Sequence, residues 1–182
     1  MRADIDRLAG ATETAIIIPV GAAERTVGRF RKKLDQSAAR GMSAHVTVLY
    51  PFVAPDRIDA ETLAEAGAAL AEVPAFDCAF TQVKWFGDDV VWLSPEPDRH
   101  FRELTRSVWR RFPDCPPYRG EHSDSIPHLT IGSVAVANLE SLKRAAVAIQ
   151  PELPIPARVD HARLVAASSG SWRTVTEFPL PG

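Results

Sequence analysis

The sequence predicts an α+β fold. Two observations carry it: strand-like runs alternate with amphipathic helical stretches along the whole chain, and several neighbouring strands are joined by turns short enough only for antiparallel hairpins. A doubly wound parallel sheet would need a long crossover between each pair of strands. In chain order, residues 14–20 form an apolar run containing Ile16-Ile17-Ile18 and read as the first strand. Residues 22–37 read as a helix, with Val27, Phe30 and Leu34 turned inward and Arg25, Arg29, Arg31, Lys32 and Lys33 on a solvated face. Residues 44–49 make the next strand. Asp59 is placed to cap a helix reaching Glu72. Residues 76–85 and 90–93 make a hairpin around Gly87-Asp88-Asp89. Phe101, Leu104, Val108 and Phe112 mark a helix started by Asp98, and a Pro-rich loop covers 113–127. His128 opens another strand. A helix from Leu139 carries Leu142, Ala146 and Ile149 on one face, and strands 157–166 and 172–180 meet at Ser168-Ser169-Gly170.

No linker, repeat period or low-complexity tract interrupts this alternation, so residues 1–182 are expected to form one domain. A hydrophobic share of 46% and a charged share of 24% are those of an ordinary soluble globular protein. No apolar run approaches the ~20 residues of a membrane span, and the Ile16-Ile17-Ile18 stretch is too short for a signal-peptide core and is cut by Pro19. The expectation is a cytoplasmic, monomeric protein with no membrane partner. Cys78 and Cys115 have no C-x-x-C spacing and read as free thiols. A net charge of -2 argues against gripping long nucleic acid through its phosphates and leaves a small nucleotide or an RNA end as the easier partner.

The chemistry is concentrated in a repeated tetrad, His45-Val46-Thr47-Val48 and His128-Leu129-Thr130-Ile131, each on a predicted strand. On a strand the side chains alternate, so His45 and Thr47 share one face while Val46 and Val48 bury on the other, and the second copy repeats the pattern. An imidazole and a hydroxyl about 6 to 7 Å apart can grip neighbouring oxygens of a tetrahedral group. A lone tetrad of this kind is more often a core histidine than a catalyst. Two of them supply two proton-transfer groups and two anchoring hydroxyls, enough for acid–base chemistry on a phosphoester without a metal.

These paired motifs, the first continuing as Leu49-Tyr50-Pro51-Phe52 and the second preceded by Pro127, resemble the two-histidine phosphoesterase superfamily and, within it, the 2′-5′ RNA ligase-like proteins. The resemblance covers nearly the whole chain. It implies a bilobal fold in which two antiparallel sheets, related by approximate internal two-fold symmetry, line a central cleft with helices outside. It also implies a metal-independent phosphoesterase with no cofactor, acting on 2′,3′-cyclic or 2′-5′ linked phosphodiesters. His45 and His128 would be the catalytic acid–base pair and Thr47 and Thr130 would hold the phosphate; which histidine is base and which acid is left open. With one imidazole neutral and one protonated, the rate is expected to peak between two apparent pKa values bracketing neutrality. Many RNA-processing relatives place a basic residue soon after the second tetrad, whereas this chain continues Gly132-Ser133-Val134.

Among the remaining candidates, Tyr118 and Arg119 sit in the loop before the second tetrad and are expected to contact substrate. Trp172 and Arg173 open the last strand at the border of the expected cleft. His100 and His161 read as structural, and His122 as a polar loop residue entering the site. A metal centre would need three or four convergent ligands, and the spacing of His45, His122, Asp124 and His128 matches no zinc pattern. The alternative to an enzyme is a non-catalytic phosphoester-binding module that kept both tetrads.

Overall fold

The computed structural model describes residues 6–120 and 125–182. Among these residues, eight strands form two four-stranded sheets, β2-β1-β7-β8 and β5-β4-β3-β6, in which every pairing is antiparallel. The strands are β1 (Glu13–Pro19), β2 (His45–Leu49), β3 (Phe76–Phe86), β4 (Val90–Glu96), β5 (Leu129–Ser133), β6 (Ile155–Val159), β7 (His161–Ser168) and β8 (Ser171–Pro179). Helices α1 (Glu24–Leu34), α2 (Gln36–Ala39), α3 (Ala60–Leu70), α4 (Arg99–Arg111) and α5 (Leu139–Ile149) join them, giving the expected α+β fold.

Both sheets repeat one plan. A tetrad strand, β2 or β5, forms the edge, and its inner neighbour is the strand that precedes it in the chain, β1 or β4. The two edges meet, so the tetrads lie side by side without joining into one sheet. Each connecting helix packs across this junction: α1, which follows β1, lies on β5, and α4, which follows β4, lies on β2. Side chains reinforce the exchange. Thr105 Oγ1 of α4 donates to the Val48 carbonyl at 2.9 Å, and Arg31 Nε of α1 donates to the Thr130 carbonyl at 2.9 Å. Thus each edge strand has a carbonyl occupied by the opposite unit, which also blunts an edge otherwise open to pairing.

The approach of α1 to β5 explains the glycine after the second tetrad. A Cβ added to Gly132 would lie 2.5 Å from Leu34 Cβ and 2.8 Å from Leu142 Cδ2. Only a residue without a side chain lets the helix this close.

Three details differ from the sequence expectation. The helix expected over 22–37 ends at Leu34, because Asp35 turns extended and its carboxylate accepts the Ser37 N–H to start α2. Asp59 caps α3 through the Thr62 N–H as expected, but the Asp98 side chain makes no cap bond to the α4 backbone and its carboxylate instead accepts from Arg102 Nε at 2.8 Å. The single strand expected over 157–166 is two strands in different sheets, with Asp160 at the switch: β6 pairs with β3, and β7 with β1 and β8. Consequently the sheets are not the two halves of the chain. The first takes β1 and β2 from the N-terminal part and β7 and β8 from the C-terminal part.

Residues buried from both sheets and the helices form one continuous core, including Ile16, Ile18, Phe80, Leu93, Phe101, Leu104, Leu129 and Ile131. Among the described residues, Cys78 and Cys115 are free thiols, burial holds the Cys78 thiol up at about 11, and no helix is long and apolar enough to cross a membrane.

Candidate active site

Alternation along the two edge strands decides which side chains face the junction. Val46 and Val48 are buried at 1% and 2% exposure and Leu129 and Ile131 at 0%, whereas His45, Thr47, His128 and Thr130 remain half-buried. The apolar residues anchor each strand to the core. Their alternate neighbours are left to the cleft.

Both imidazoles are tethered in the same way. His45 Nδ1 lies 2.8 Å from the Ser43 carbonyl and His128 Nδ1 lies 2.7 Å from the Ile126 carbonyl, in each case two residues upstream. A carbonyl can only accept, so each Nδ1 carries a hydrogen. The histidines also sense one another. Burial, and after it the Arg31 guanidinium, push the His45 pKa from 6.5 down to about 4, and the charge of His128 acts in the same direction. His45 is therefore neutral at pH 7.

His128 stands among aromatic rings. Phe86 and Trp92 meet it edge-on at centroid distances of 5.0 and 5.8 Å, and Tyr118 lies nearly parallel to it at 6.4 Å. The Tyr118 hydroxyl also shares a hydrogen bond with the Thr47 side chain, so one residue spans both tetrads. Its backbone is left-handed at φ 49°, as is that of Arg119 at φ 57°, and the Tyr118 N–H donates to the Tyr50 carbonyl at 2.7 Å. Left-handed backbone at a non-glycine residue costs on the order of 1–3 kcal/mol and persists only where the surroundings hold it. Arg119 is exposed. Its charge reaches the Tyr50 hydroxyl, whose pKa is raised by the Glu13 hydrogen bond and by burial and held back in part by Arg119.

The residue most altered from its sequence reading is Arg31. It was expected on the solvated face with Arg25, Arg29, Lys32 and Lys33, which are indeed exposed, but it is buried to 1%. Besides Thr130, it donates to the Met42 carbonyl at 3.3 Å, to Asp35 Oδ2 at 2.6 Å and to Ser37 Oγ at 3.2 Å. It thus ties the second tetrad strand to the segment that enters the first. The available signals were its spacing from Val27 and Leu34, which puts it on the inward face, and Asp35 four residues on.

Beside His45 and Thr47 a groove of about 300 Å³ runs along the first sheet, lined among others by Glu13, Ala15, Ile17, Tyr50 and Trp172. Of the other histidines, His100 packs on Phe76 at 4.6 Å and His161 pairs with Asp160 at 2.5 Å. His122 and Asp124 lie outside the described residues. Among the described residues, no group of three or more His, Cys, Asp or Glu side chains is placed to hold a metal ion.

A family model described as the 2′-5′ RNA ligase superfamily matches residues 19–170. The chain belongs to that superfamily. In fold it is similar to Escherichia coli LigT, solved with 3′-AMP, at a TM-score of 0.58 and 16% identity over 94% of this chain and 99% of that one. The LigT structure solved with ATP matches at 0.58 and 19%, covering 95% and 99%. A structure described only as a phosphoesterase matches at 0.60 and 17%, covering 94% and 99%. No curated protein matches in sequence. Family and fold support a phosphoesterase-type function.

Proposed function

We propose that the chain is a metal-independent phosphoesterase that opens or cleaves 2′,3′-cyclic or 2′-5′ linked phosphodiesters of RNA ends or small nucleotides. The observation that carries this reading is the matched tethering of His45 and His128 by their Nδ1 atoms on two edge strands that meet at one junction. The depressed pKa of His45 supports its assignment as the general base. His45 Nε2 takes a proton from water as the water oxygen bonds to phosphorus. His128, as the imidazolium, donates its Nε2 proton to the departing 3′ oxygen as the P–O3′ bond of a cyclic phosphate breaks, which leaves the 2′-phosphate. Thr47 and Thr130 donate to the non-bridging oxygens, with Tyr118 orienting Thr47 and Arg119 offering charge at the rim. The solved LigT complexes with 3′-AMP and ATP support a nucleotide as the ligand class.

Turnover of a panel of 2′,3′-cyclic and 2′-5′ linked nucleotides, in excess EDTA, tests this reading. Hydrolysis of at least one class is expected to persist under chelation. Loss of activity restored by zinc or manganese would defeat the metal-independent scheme, and tight binding with no turnover would make the protein a phosphoester-binding module.

The pH profile tests the assignment of the base. For a base whose folded pKa is about 4, kcat/KM falls only as pH drops through that value, so the acid limb should lie well below the 6.5 of an unperturbed imidazole. Two limbs bracketing neutrality, as the sequence alone suggests, are therefore not expected. An acid limb at or above pH 6.5 would contradict the role given to His45.

A further inference from the structure

The groove beside His45 is larger than a phosphate needs. Its floor is apolar, with Ala15 and Ile17 of β1 at 3% and 2% exposure. At one end two aromatic rings of the lining meet, Tyr50 edge-on to Trp172 at a centroid distance of 6.4 Å, beside the Glu13–Arg40 pair. A pair of opposite charges closes that end. Glu13 Oε2 accepts from the Tyr50 hydroxyl at 2.6 Å, and Glu13 Oε1 lies 3.6 Å from Arg40, whose guanidinium carbon stands 5.5 Å from the Trp172 ring centre.

Each feature answers a part of one chemical group. The apolar floor and indole suit a flat heterocycle, which loses little on leaving water and gains about 1–3 kcal/mol per stacked base. A carboxylate accepts only, and each Glu13 oxygen has a further lone pair beyond its present partner. The guanidinium donates only. An acceptor beside a donor is the complement of a ring edge that carries an N–H next to a carbonyl or ring nitrogen, which is how nucleobases present themselves. An alkyl group would leave this charged end unanswered. His45 and Thr47 also line the groove, so a base lodged in it can stay connected through its ribose to a phosphate at the tetrads.

We propose that this groove is a nucleobase subsite, in which Trp172 and the Ala15–Ile17 floor hold the ring and Glu13 accepts from its edge N–H, with Arg40 donating beside it. The proposal rests on the phosphoester reading above. It makes Glu13 and Trp172 the residues that separate nucleotides from base-free sugar phosphates. A guanine, with two adjacent N–H donors and an O6 acceptor on one edge, offers the fullest match.

Calorimetric titration with guanosine 2′-monophosphate and with 1-O-methylribose 2-phosphate, which has the same phosphate and no base, tests it. The wild-type protein is expected to bind the nucleotide at least tenfold more tightly. Glu13→Gln and Trp172→Ala should each reduce that ratio at least threefold, with circular dichroism confirming the fold. Equal affinity of the wild type for both compounds, or a ratio unmoved in both folded variants, would overturn the subsite alone. Failure of the wild type to bind either compound would instead count against the phosphoester site beneath it and overturn both.

Discussion

Replacing His45 or His128 with alanine is expected to lower turnover by at least ~10²-fold, the usual contribution of a positioned acid or base. Folding should survive. The strands are anchored by Val46, Val48, Leu129 and Ile131, whose side chains are buried in the core, while His45 and His128 lie on the opposite, half-buried face. The two losses should not add fully in the double variant, because the residues act on one phosphorus as a unit. Circular dichroism and steady-state kinetics on the best substrate decide the matter. A folded variant at either position with wild-type turnover would end the two-histidine scheme.

Arg31→Met should cause the largest loss of stability. The substitution leaves the Asp35 carboxylate buried without its cation and takes donors from the Thr130 and Met42 carbonyls. Breaking a buried ion pair from one side typically costs 3–5 kcal/mol, a large part of the roughly 5–15 kcal/mol that holds a domain together. Arg31→Lys should be intermediate, because one ammonium cannot serve four acceptors laid out for a planar fork. Denaturant melts measure both. A second readout separates electrostatics from packing: with the guanidinium gone, His45 should titrate higher than in the wild type, since Arg31 is second only to burial in depressing it. Wild-type stability together with an unmoved His45 titration in a folded Arg31→Met variant would show that the network does neither job.

What the sequence made legible were features written in short-range pattern. The two tetrads announce their strands and their exposed faces by simple alternation, and the Asp59 cap and the hairpin turn at Gly87-Asp88-Asp89 are local chemistry. What it hid depends on partners distant in the chain. Arg31 looks like one more cation in a basic run because Thr130, 99 residues away, is not visible from it. The break at Asp160 carries no turn signal, since a strand that changes sheets does so for tertiary reasons. The left-handed turn at Tyr118 and Arg119 is equally silent, as nothing in Pro117-Tyr118-Arg119-Gly120 demands a positive φ at either residue. Of the groove, Tyr50 beside the first tetrad and Trp172 at the start of the last strand were legible, whereas Glu13 and Arg40 belong to no motif and meet only in the fold.

The crossing of α1 onto β5 and of α4 onto β2 bears on ancestry. A single strand–helix–strand unit of this design carries its helix where it cannot cover its own tetrad strand. Alone it would leave both an apolar helix face and a strand edge bare. Two copies related by a dyad could each lend the other a helix, as subunits do in a domain-swapped dimer. Joining such a pair through a linking segment would give the order β1-α1-β2 followed by β4-α4-β5, with β3 and β6 widening one sheet and β7 and β8 the other. Thr105 on Val48 and Arg31 on Thr130 would then be two differently decorated descendants of one intersubunit contact.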